Sequence, residues 1–367
     1  MFRPFKIIVS ALVLALVPAT ALSASGVSRV PGAWHRLPPA PSAVLPGTSV
    51  WTGKQLIVVG RPPFKPAVVA EAYEPATSTW SRLSPPATLA DDPGCCKSVW
   101  TGKEMLVYGA FHAVAFNPAT GNWRELRKSI LGGIVVWTGR EAIGWGGGCC
   151  GDARATGAAY DPSDDAVRSL PRSPLAPSQS PVGAWTGREL ILLVSGFNPD
   201  GKPYPARLAR AAAYNPTTNK WGRIATPPER GGTAAWDGHE LLVVGAGRSA
   251  RSTLAYNPAT NRWRRLASMP SARFGASAVW TGKRLYVWGG QNAGASTSRR
   301  DGVAYDPRTN RWLAISRAPL TAGVGGSLAA WTGRSLIVWG GEIGTPKGTA
   351  IPPKFPRGGA VFTPATP

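Results

Sequence analysis

The tripeptide Trp-Thr-Gly, once written Trp-Asp-Gly, begins at Trp51, Trp100, Trp137, Trp185, Trp236, Trp280 and Trp331. Seven copies spaced 37 to 51 residues apart restrict the chain more than any other feature. A period of this size means stacked copies of one supersecondary unit. Each copy is preceded by small or β-branched residues and followed by an apolar stretch ending in glycine: QLIVVG, EMLVYG, EAIGWGG, ELILLVSG, ELLVVG, RLYVWGG and SLIVWGG. Two short strands about a glycine turn make a hairpin.

A second element recurs further along each unit. It reads YEPATSTWSRL from Tyr73, FNPATGNWREL from Phe116, YDPSDDAVRSL from Tyr160, YNPTTNKWGRI from Tyr214, YNPATNRWRRL from Tyr256 and YDPRTNRWLAI from Tyr305. An aromatic closes one strand, and a proline two residues later pre-sets a turn. A tryptophan seven residues after the aromatic opens the next strand, except that Val167 takes its place in the third copy. Each unit is therefore four antiparallel strands. The 36 prolines and 44 glycines suit an all-β chain rich in turns, and no segment holds a sustained helical period. One such sheet cannot bury both faces alone, and radial stacking solves that.

Gly-Gly after the second strand, Tyr-Asp-Pro after the third and Trp at the start of the fourth together resemble the kelch repeat. The likeness is strongest over 273–315, where the lead-in Arg273 also fits, and it extends over essentially residues 30–367. The Gly-Gly pair is complete only at Gly146-Gly147, Gly289-Gly290 and Gly340-Gly341. The resemblance, to secreted bacterial kelch propellers of the galactose-oxidase-like central-domain superfamily, implies a single-domain β-propeller. The last unit stops after its third strand, GAVFTP, while GAWHRLPPAP near the N-terminus carries Trp34 and Leu37 in the spacing of Trp263 and Leu266. Seven blades are expected, the last closed by strands from both termini, which removes exposed sheet edges. All sixteen tryptophans occupy repeat positions, so they are expected in the cores between blades.

Residues 1–24 have the layout of a secretory signal peptide: Arg3 and Lys6, an apolar run from Ile7 to Val17, Pro18, then small residues with candidate cleavage after Ala21, Ser23 or Ala24. The run is shorter than the roughly 20 residues that span a bilayer. A secreted or envelope-exterior, monomeric protein without a transmembrane segment is expected. Net charge is +22, and removal of Arg3 and Lys6 leaves +20. Charge of this size concerns partners and solubility, and outside a cell it points to an anionic polymer, glycan or acidic protein. Nucleic acid is disfavoured by export.

In a propeller the 2–3 and 4–1 connections share one face, and function concentrates in such variable loops. Arg154, Arg207, Arg210, Arg248, Arg251, Arg299 and Arg300, with Asp152, belong to these loops and are the candidate ligand-binding residues, on a face that also collects Arg61, Lys65, Arg172, Lys202, Lys347, Lys354 and Arg357. Arginine suits bidentate recognition of carboxylate or phosphate. Cys95, Cys96, Cys149 and Cys150 also fall in these loops, and an exported chain favours disulfides among them. Cross-links between the two pairs, vicinal bridges and free thiols all remain open. Asp91, Asp92 and Asp152 flank the cysteines as cation or acid–base candidates, a solvated loop being the plainer role.

Whether the chain is an enzyme is left open, with binding favoured. The copper site of galactose oxidase needs histidines that converge. His35, His112 and His239, the three histidines of the chain, fall in different repeats, so copper-radical chemistry is disfavoured. No cofactor or metal is expected. The alternative to a binding or scaffolding propeller is a carbohydrate-active enzyme of the mutarotase type.

Overall fold

The structure, a computed structural model, describes residues 28–365 except 45–46, 64–66, 90–95, 131, 149–151, 196–200, 292–297, 321–326, 342 and 344–353. The described residues form seven four-stranded antiparallel sheets. Blades one to six comprise residues 48–83, 97–125, 134–169, 182–223, 233–265 and 277–315. Blade seven joins Leu328–Trp331, Leu336–Trp339 and Gly359–Pro364 to the N-terminal strand Gly32–Arg36, which takes the outermost place. Trp34 pairs with Phe362 and Arg36 with Ala360 in that closing ladder. The first strand of every blade touches the first strands of both neighbours, blade seven touching blade one, so the ring is closed. The expected seven-bladed propeller sealed by both termini is the observed one. Among the described residues no helix is long and apolar enough to cross a membrane.

Local chemistry explains each repeat signature. At the 1–2 turn the threonine hydroxyl of Trp-Thr-Gly accepts backbone N–H bonds two and three residues on, as Thr281 does from Lys283 and from Arg284 at 3.0 Å. Asp237 makes the same turn through its carboxylate, 2.8 Å from His239 N and 2.7 Å from Glu240 N, which is why aspartate is tolerated there. The glycine sits at positive φ, 86° in Gly282, where a side chain is strained.

The 3–4 turn shows why Tyr-Asn-Pro and a later Asn recur. Asn257 Oδ1 accepts the Ala259 amide at 2.9 Å, an Asx turn. Asn261 adopts φ 52°, a region that short polar side chains tolerate best after glycine. Its Oδ1 accepts both the Tyr256 hydroxyl, at 2.9 Å, and the Ala225 amide of the preceding blade, at 2.7 Å.

Seven apolar clusters hold the ring, one at each junction between blades. A polar clamp repeats beside them. The indole N–H of the strand-four tryptophan donates to a carbonyl just beyond the preceding blade's fourth strand. These bonds run from Trp34 to Ser316, Trp80 to Pro38, Trp221 to Pro171, Trp263 to Ala225 and Trp312 to Ala267, at 2.7–3.0 Å. The exceptions adjoin each other. The Trp123 indole N–H is buried without a hydrogen-bond partner, and blade three carries Val167. Junctions one–two and two–three therefore lack the clamp.

Candidate functional site

The 2–3 and 4–1 loops lie on one side of the ring, and the arginines expected to bind ligand come from blades three to six. Most of them hold the scaffold. Arg251 Nε donates to Met269 O at 2.9 Å, Arg210 Nη2 to Pro227 O at 3.0 Å, and Arg300 Nη1 to Leu320 O at 3.0 Å. Arg154 pairs with Asp152 at 3.5 Å, and both side chains stay exposed. Arg299 grips both oxygens of Asp301, at 3.0 and 3.2 Å.

The same carboxylate anchors Arg273, 2 % exposed, whose Nη1 also donates to the Gly289 and Asp301 carbonyls at 2.8 and 3.0 Å. Burial alone would raise the Asp301 pKa, but the hydrogen bonds and charges of Arg299 and Arg273 outweigh it and hold the carboxyl below its ordinary range. Arg273 is thus the keystone of the blade-six loop. Arg210 is pushed below the ordinary arginine range by burial and then by Arg230, so it sits in a locally cationic setting.

Arg207 and Arg248 remain exposed, and Arg207 helps form a cleft. About 550 Å³ of open space lies between the loop leaving blade three and the outer strand of blade four. Arg172 and Arg207 line it with Lys220 and Arg223, beside the ring of Trp221. None of the lining residues is acidic. The Trp221–Pro171 clamp fixes one wall, and Arg223 Nη2 donates to Arg207 O at 2.5 Å across it. The side chains of Arg172, Arg207 and Lys220 hold no hydrogen bond or ion pair among the described residues. Four cations around one opening favour a carboxylate, sulfate or phosphate. Lys220 and Arg223 escaped the sequence reading because they sit inside a repeat strand. The available signal was that the residues flanking a strand-four tryptophan are on the blade's outer edge.

A second cavity of about 330 Å³ lies between blades six and seven, with Trp288, Trp339, Val338, Leu320 and Ile343 among its walls. It is mainly apolar.

Cys95, Cys149 and Cys150, together with Asp91, Asp92 and residues 1–24, over which a leader is expected, lie outside the described residues. Cys96 is buried in the core between blades one and two. The histidines are far apart in the ring: His35 in blade seven, His112 in a blade-two loop and His239 in a blade-five turn. Among the described residues no group of three or more His, Cys, Asp and Glu is placed to hold a metal ion.

One buried carboxylate stands apart from the loop side. Glu71, 1 % exposed, occupies the position that Val114, Ala158, Ala212, Leu254, Val303 and Ala360 fill elsewhere. Burial pushes its pKa up, against the opposing pull of Ser42, Arg82 and Arg357.

Residues 272–317 match the family model of the Kelch motif, the stretch that forms blade six and its Arg273 lead-in. No curated protein shows a significant match to the chain. With that motif in one blade, the same turns repeated around the closed ring and blade-to-blade clamps at five of its junctions, the chain is a seven-bladed β-propeller carrying a Kelch motif.

Proposed function

We propose that this propeller is an exported binding scaffold that recognises an anionic partner through its long-loop side and the adjoining outer edge, with the basic cleft of blade four as the principal contact. Kelch propellers commonly bind proteins, and the finer reading takes the partner to be an acidic protein segment, glycan or envelope polymer. The observation that carries it is the cleft itself: four cations, an aromatic wall and no acidic lining residue. The leader-like sequence of residues 1–24 and the large positive charge support an extracellular setting and an acidic partner.

The experiment is binding of the purified chain to polyglutamate and to polygalacturonate at low and high salt. Charge reversal at Arg172, Arg207 and Lys220 is expected to weaken binding about tenfold or more, because each charge-assisted contact contributes roughly 1 kcal/mol or more. Reversal at the scaffold-bound Arg251 is expected to lower stability more than affinity. Unchanged affinity in the triple variant refutes the cleft as the contact.

A further inference from the structure

The face opposite the long loops has a feature that the loop-side reading does not use. Each blade turns from its first to its second strand through a tip of identical length, and the residue after the turn glycine is basic in six blades. These are Lys54, Lys103, Arg140, Arg188, Lys283 and Arg334, with His239 in the seventh. All seven are exposed. The preceding glycines lie at φ 86–102°, and a Cβ placed on any of them meets nothing within 4 Å. The tips therefore project freely. The seven blades are copies around a closed ring and the first strands of neighbouring blades are in contact, so the tips form one ring on this face.

Acidic groups near this ring are drawn back from its surface. Glu74 and Asp161 are 15 % exposed, whereas their partners Lys54 and Arg140 are 78 % and 85 % exposed. Glu104, Glu141, Glu240 and Asp306 are 12–17 % exposed and are neutralised by Arg124, Arg168, Arg264 and Arg284. Lys103, Arg188, Lys283 and Arg334 hold no ion pair among the described residues. The outermost charge layer is thus cationic, and it is thinner at blade three, where Asp164 is exposed on the outer turn, at blade four, where Gly222 stands in place of an arginine facing Glu189, and at blade five, where the tip residue is His239.

We propose that this turn face docks flat on an anionic bilayer surface, its ring of cations meeting acidic headgroups. A planar partner is favoured over a linear polyanion by geometry. Seven short equal turns offer no groove to guide a strand, which would meet only a few tips at a time, whereas a plane meets all of them together. Each basic residue held near an acidic membrane raises partitioning about fivefold, and salt screens the effect over about 10 Å. Docking this way leaves the long loops facing outward.

The test is flotation of the full chain with vesicles of phosphatidylcholine alone or with about 30 mol% phosphatidylglycerol, at about 50 and 500 mM salt. Binding to the acidic vesicles only, lost at high salt, is expected. Combining Lys103→Glu, Arg188→Glu, Lys283→Glu and Arg334→Glu is expected to lower it about a hundredfold or more. The corresponding glutamine set, which tests the ring without charge inversion, is expected to lower it less. A control set, Arg172→Glu with Arg207→Glu, belongs to the loop-side wall of the cleft and is expected to retain vesicle binding, so the two sites fail separately. Equal binding to neutral vesicles, equal loss in the control set, or tip-dependent binding of soluble polyphosphate without vesicle binding would each overturn the proposal.

Discussion

Replacing Trp263 by phenylalanine keeps an aromatic ring against Tyr256, whose centroid lies 5.0 Å away, but removes the N–H that bonds Ala225 O at 2.8 Å. The Ala225 carbonyl then loses its partner at a part-buried junction, which costs about 1–3 kcal/mol. The smaller ring adds about 1 kcal/mol of lost packing. Trp123→Phe removes the same ring volume, yet its N–H is buried with no partner. Deleting that group relieves a desolvation cost of about 1–3 kcal/mol and offsets the packing loss.

The two substitutions, alike in chemistry, are therefore expected to differ by about 2 kcal/mol or more. In a chain of this size, unfolding entropy of about 2.1 cal/mol/K per residue makes that roughly 3 °C in melting temperature. Thermal melts and urea midpoints of both variants against the parent provide the assay. Equal destabilisation by the two would refute the claim that the indole–carbonyl clamp, rather than aromatic packing alone, ties each blade to its neighbour.

Two further outcomes test the core and the closure. The Glu71 carboxyl has a folded pKa above its unfolded value, so the folded state binds the proton more tightly. Its stability contribution falls as pH rises through the interval between the two values, and the loss is complete above the folded pKa. Glu71→Gln is accordingly expected to melt higher than the parent at neutral pH and to converge with it in acid, and a parallel offset at every pH would contradict this. Deleting Val30–Pro38 removes the closing strand, the Trp34 clamp to Ser316 and the carbonyl that accepts from Trp80. Loss of the cooperative melt is expected, and a melt like that of the full chain would show that closure does not depend on this strand.

Much of the architecture was legible because its determinants are local. A Thr-Gly turn, an Asx turn and a left-handed Asn each need only a few consecutive residues, and they recur at Thr281, Asn257 and Asn261 in the order the strands require. The repeat count and the missing fourth strand of the last unit then specify a ring sealed by Trp34. The candidate binding residues were less legible. Arg299 and Arg251 read alike in sequence, as basic residues in variable loops. One answers the Asp301 carboxylate shared with Arg273 and the other a carbonyl of its own blade's exit segment.

Arg299 and Asp301 are two residues apart, but the sharing of that carboxylate with Arg273, the Arg251–Met269 bond and the meeting of Arg172 with Lys220 across a blade junction all depend on where separate segments pass in space. The amino-acid order, through short-range turn chemistry and a fixed strand period, sufficed for the blades, their number and their closure. Only the folded ring decided which arginines are tied to the scaffold and which face solvent together, because burial and most of the anchoring contacts arise between segments distant in the chain.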